Sequence, residues 1–125
     1  MSGPVIYRDQ ESLDAALAEW QRRLGLLHWS VNIKLRKAYD MPADTQGTCQ
    51  RTETRNEASI RILDSSDYDP DHILPQDHEV VLVHELLHIT LGPIADFEQG
   101  TCKHTHLEQI IHQLSQALVA AKRGA

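Results

Sequence analysis

The chain has 125 residues, a formal net charge of −6 and a pI near 5.7. This length suits one domain, and a 41% hydrophobic fraction with a single phenylalanine makes its core modest and aliphatic. The acidic balance argues against a nucleic-acid surface, no run is long enough to span a membrane, and Met1-Ser2-Gly3-Pro4 lacks a secretory pattern, so a cytoplasmic protein is expected.

Residues 9–24 read as an amphipathic helix. Leu13, Ala16, Leu17, Trp20 and Leu24 follow its period, Asp9 can cap the start and Gly25 the end. Trp20 reads as a core residue. Trp29, Val31, Ile33 and Leu35 alternate with polar residues, the pattern of a half-buried strand. Residues 40–45 form a loop around Pro42. Residues 46–54, with Thr48, Gln50, Thr52 and Thr54 on one face, read as an edge strand. Ala58, Ile60 and Ile62 mark a third strand. The connections are too short for helical crossovers, so the sheet is expected to be mainly antiparallel.

Residues 64–78 form a polar loop. Asp64, Asp67, Asp69 and Asp71 have the density of a calcium site but not the EF-hand pattern, so a solvated loop with an Asx-type cap is the better reading. Pro75 and Asp77 suit a helix start and Gly92-Pro93 a helix stop. A last helix spans roughly residues 104–121, with the stripe Leu107, Ile110, Ile111, Leu114 and Leu118. Lys122-Arg123 reads as a short basic tail. Cys49 and Cys102 are expected as free thiols, since a cytosolic chain gives no reason to pair them. The fold class is therefore α+β: an N-terminal helix, a small sheet, then two helices.

The chemistry sits in Val83-His84-Glu85-Leu86-Leu87-His88. Histidines four residues apart on a helix lie about 40° apart around the axis and about 6 Å apart along it. Two such imidazoles can meet one tetrahedral Zn²⁺. Val80, Val81, Leu82, Val83, Leu86, Leu87, Ile89 and Leu91 leave this helix almost no polar side, so it reads as buried. Buried histidines and a glutamate then need partners. Glu85 points about 100° away from His84. That suits a general base that takes a proton from a metal-bound water, not a ligand.

A third ligand is expected downstream. Nineteen residues separate His88 from Glu108, which lies on the edge of the last helix's apolar stripe. Glu108 is the best candidate, and His104, His106 and His112 are its rivals. Eight histidines is a high count for this length, and five of them cluster at 84, 88, 104, 106 and 112.

His84, Glu85, His88 and Glu108 resemble the gluzincin pattern, His-Glu-x-x-His followed by a glutamate on the next helix. The gap is similar to that of thermolysin-like enzymes, and the small size resembles compact minigluzincins and phage-type metallopeptidases. The specific part of the resemblance covers residues 80–112. SprT-like domains share the first motif, but their context is usually basic. The resemblance implies a zinc peptidase with one Zn²⁺ per chain and a peptide or protein substrate laid along a sheet edge. Thermolysin-like enzymes carry an aspartate four residues after the third ligand. Here that position is His112, which would hold a zinc histidine as a neutral acceptor, as that aspartate does, or compete as a ligand. An oxyanion donor is also needed, for which Tyr68, His72, His78, His104 and His106 stand as candidates. The alternatives are a catalytically silent, zinc-stabilised protein-binding module and a metal-free domain with hydrogen-bonded core histidines.

Overall fold

The computed structural model describes residues 3–124. Helix α1 spans Gln10–Arg23, and the Asp9 carboxylate caps it by accepting from Ser12 N–H at 2.7 Å. The chain leaves α1 through Gly25, whose φ of 72° is left-handed. Strands β1 (Ser30–Arg36), β2 (Gly47–Thr52) and β3 (Glu57–Leu63) follow. Helix α2 spans His78–Leu91 and α3 spans Cys102–Lys122. The α+β class and the order of elements are those the sequence pattern leads to.

The sheet corrects one expectation. Its order is β1-β3-β2, with β2 antiparallel to β3 but β1 parallel to β3. The sheet is therefore mixed. No helical crossover is needed, because residues 37–46 carry the chain past β3's place to β2, and a tight turn brings it back. Asn56 closes that turn at φ 51°, a left-handed conformation that asparagine tolerates better than most residues. The physical reason lies in the strands. β3 brings Ala58, Ile60, Ile62 and Leu63 into the core and takes the centre, while polar, threonine-bearing β2 takes an edge.

Helices α1 and α2 cover one face of the sheet, and α3 packs on α2. Helix α2 is thus the central element, with Leu82, Val83 and Leu86 fully buried. Each such side chain contributes roughly 1.5–3 kcal/mol by leaving water. Trp20 joins this core, and its indole N–H donates to Glu79 at 2.9 Å.

Lys122 and Arg123 are not a free tail. Lys122 ends α3 and binds Glu79, and Arg123 makes a two-pronged contact with Asp77 at 3.0 and 3.1 Å and reaches Glu79 at 3.0 Å. Asp77 also caps α2, accepting from the N–H groups of Glu79 and Val80. The last turn of α3 is therefore fastened to the first turn of α2, and the two helices run antiparallel.

The loop aspartates act as backbone caps. Asp64 accepts from Ser66, Asp67 from Ala38 and Asp69 from Asp71. Gly92 ends α2 in right-handed conformation, φ −48°, so freedom of φ is not its reason. A Cβ there would lie 2.9 Å from Arg51 Nε and 3.0 Å from Glu53 Oε1. The glycine lets the Arg51 side chain lie across the end of α2, where a cation suits the helix dipole.

Candidate metal centre

One and a half turns past its N-terminus, α2 presents His84 and then His88 toward α3. Glu108 faces them from the second turn of α3. Glu108 Oε2 lies 3.0 Å from His84 Nε2, and Oε1 lies 2.8 Å from His88 Nε2. The ligand atoms of these three residues all lie within 4.8 Å of one another, and no other such group of histidine, cysteine and acidic residues occurs among the described residues. Of the four candidates for a third partner, the structure brings Glu108 into the group. Its edge position on the apolar stripe puts the carboxylate into the seam between the helices while Leu107 and Ile111 hold the core beneath it.

The donor set fits a zinc ion. Two imidazole nitrogens and one carboxylate oxygen are ordinary zinc donors, and donors at about 2.0–2.1 Å around a tetrahedral ion stand about 3.3 Å apart. The two histidine–Glu108 spacings, 3.0 and 2.8 Å, are close to that, and all three donors lie within 4.8 Å of one another. The Nε2 atoms turned to Glu108 are the ones that would coordinate.

Charge in this seam is tightly coupled. The two histidine hydrogen bonds hold the Glu108 carboxyl well below the usual carboxylate range. Burial alone would lower the His84 pKa, but the hydrogen bond to Glu108 and the charges of Glu85 and Glu108 outweigh it and raise it. Burial pushes the Glu85 carboxyl up, against the pull of both histidines.

Glu85 lies on the side of α2 that meets the sheet edge. It is 6% exposed and accepts no hydrogen bond among the described residues. Strand β2 crosses it at Gly47. A Cβ at Gly47 would lie 2.6 Å from Val81 Cγ1 and 3.0 Å from Glu85 Oε2. Only a residue without a side chain lets the edge strand lie so close to this carboxylate. Cys49, next on the same face of β2, has its thiol pushed up to about 12, first by burial and then by the Glu85 charge. Both cysteines are free, and Cys102 is exposed and outside the group.

The remaining candidates separate by position. His104 is beside the group, with Nε2 3.9 Å from Glu108 Oε1. The His112 ring lies 6.3 Å from the His84 ring, centroid to centroid, without a hydrogen bond between them. His106 is exposed on another face of α3. Tyr68 donates its hydroxyl to the Leu74 carbonyl at 2.6 Å, and its ring lies against His72. His78 is fully buried at the start of α2. Its Nδ1 accepts from Tyr7 N–H at 2.8 Å and its Nε2 faces the Leu63 carbonyl at 3.0 Å. That fixes a neutral ring with the proton on Nε2, and burial depresses its pKa accordingly. Both nitrogens are engaged, so His78 is a structural residue and not an oxyanion donor.

Two contributors escaped the sequence reading. Gly47 shows no local signal, since its reason is contact with α2. Glu79 shows only burial inside an apolar run. Its partners Trp20, Lys122 and Arg123 lie 43 to 59 residues away. No helix of the described residues is long and apolar enough to cross a membrane. Comparison with protein-family models, curated proteins and solved structures gives no match.

Proposed function

We propose that this protein is a zinc-dependent peptidase in which His84, His88 and Glu108 hold the metal and Glu85 is the general base. The observation that carries the reading is the pairing of a compact N₂O donor set with a buried carboxylate that accepts no hydrogen bond among the described residues. A purely structural site needs ligands, and Glu85 adds something that ligands do not require.

With zinc bound, the centre would supply Lewis acidity, making water acidic near neutral pH and polarising a carbonyl. Glu85 accepts the proton of the attacking water on a carboxylate oxygen and returns it to the leaving amine. Strand β2 is a sheet edge beside α2, and an extended peptide can add to it through main-chain hydrogen bonds. Gly47 then brings that edge, and the peptide on it, close to Glu85.

Elemental analysis of zinc-refilled protein tests the metal half. We expect close to one zinc per chain in the parent and much weaker binding in His88→Ala. Protein that takes up no zinc, or a His88→Ala variant that binds as tightly as the parent, contradicts the assignment.

A further inference from the structure

The seam between α2 and α3 holds two helical pairs spaced i, i+4. Helix α2 presents His84 and His88, and α3 presents His104 and Glu108. The pairs face each other, and three of the four side chains form the close group described above. His104 is the fourth. Its Nε2 lies 3.9 Å from Glu108 Oε1, the same oxygen that lies 2.8 Å from His88 Nε2. That one distance exceeds the donor spacing of a tetrahedral zinc site by about half an ångström, while His104 lies outside the group whose donor atoms are all within 4.8 Å of one another.

We propose that His104 is a displaceable fourth zinc ligand, which closes the centre in the resting protein and leaves it when substrate arrives. The inference rests on the reading of His84, His88 and Glu108 as the zinc site. Three features select His104. It sits one turn before Glu108 on the same face of α3, so a rotation of its side chain moves Nε2 without moving the backbone. Its ring makes no hydrogen bond among the described residues and is 26% exposed, so no hydrogen-bond partner holds it away. It lies in the first turn of α3, three residues after the cap Thr101. The other α3 histidines differ in placement. His106 is exposed on another face of the helix, and His112, one turn after Glu108, forms no ion pair with it among the described residues and has its ring 6.3 Å from that of His84.

The consequence is a choice between two kinds of zinc site. Four protein ligands make a closed site of the structural kind, and three leave a position for chemistry. A carbonyl or carboxylate of a bound peptide would have to compete with a tethered imidazole. The protein is then latent until a segment fits the edge strand well enough to win that competition.

X-ray absorption at the zinc edge of the full-length, zinc-loaded protein counts imidazole ligands directly. We expect three in the parent and in His106→Ala, and two in both His104→Ala and His104→Gln. Competition with a chelator should show zinc held at least about tenfold more weakly in the His104 variants. A hydroxamate, as a probe for the free position, should bind the His104 variants more tightly than the parent. Two imidazoles in the parent, with unchanged zinc affinity in the variants, overturns the role of His104 and leaves the three-residue site standing. A parent that binds no zinc overturns both.

Discussion

Glu79 and Glu85 are six residues apart on one helix, and both are almost wholly buried, at 2% and 6% exposure. Their surroundings are opposite. Glu79 accepts from Trp20, Lys122 and Arg123, and these donors outweigh burial and lower its pKa. Glu85 has no donor, and burial raises its pKa. The same residue type at similar depth is thus an ion-pair anchor in one place and, in the function proposed above, a general base in the other. The α2–α3 seam follows the same division. Its far end is closed by charges that satisfy one another. Its near end gathers two histidines and a carboxylate that a cation would complete.

The largest expected effect separates the two ends. Zinc removal should destabilise the protein by about 3–4 kcal/mol, the linkage expected at zinc 10²–10³ times its dissociation constant. Hydrogen exchange should rise first around His84–His88 and Glu108, with the Asp77–Arg123 end protected longest. An unchanged melting curve after confirmed metal loss would remove zinc from the account of the fold.

Next comes Glu79→Gln. Breaking a buried pair costs up to about 3–5 kcal/mol, and the partial exposure of Lys122 and Arg123 reduces that here to about 2–3 kcal/mol. Because the folded pKa of Glu79 is depressed, its contribution is complete above the ordinary glutamate value of about 4.3. It fades as pH falls through the folded value. Urea unfolding should therefore show parent and variant far apart at pH 7 and converging in acid. Equal stability at pH 7 would mean the anchor contributes nothing.

Gly47→Ala should cost about 1–3 kcal/mol, the range for overpacking, because its methyl group would press on Val81 and Glu85. It should also lower any hydrolysis while zinc content stays the same. Full activity would show that the strand's closeness to Glu85 is incidental.

The smallest effect has the opposite sign. In metal-free protein the raised pKa of Glu85 means that the charged carboxylate is disfavoured in the folded state. Its penalty sets in above the ordinary glutamate value of about 4.3, is complete once pH exceeds the raised one, and persists above it. Glu85→Gln should therefore stabilise the metal-free protein at pH 7, by on the order of 1 kcal/mol. A loss of stability would place Glu85 in the same structural class as Glu79.

Much of this was legible in the chain. The three helices follow apolar periodicity with Asp9 and Asp77 at their starts, and His84, His88 and Glu108 can be paired by helix spacing. The parallel pairing of β1 with β3 was not legible, because local patterns reveal strands and not their order. Nor was the anchoring of Lys122 and Arg123, since two basic residues after a helix look the same whether they meet water or a buried acid 43 to 46 residues earlier. Gly47 and Gly92 belong with them. Gly92 reads as a helix stop and Gly47 as one more residue of an edge strand, yet each lets α2 or its end lie close to side chains across from it.

The central claim is that Glu85 moves a proton and does not hold the metal. Glu85→Gln keeps the shape and removes the acceptor. The decisive measurement compares zinc-loaded parent and variant on a broad peptide library, with zinc content determined on the same samples. The account predicts about one zinc per chain in both proteins and hydrolysis slower by at least about 10²-fold in the variant, the lower end for positioned acid–base groups. A variant that cleaves as fast as the parent, or that loses its zinc, would contradict it.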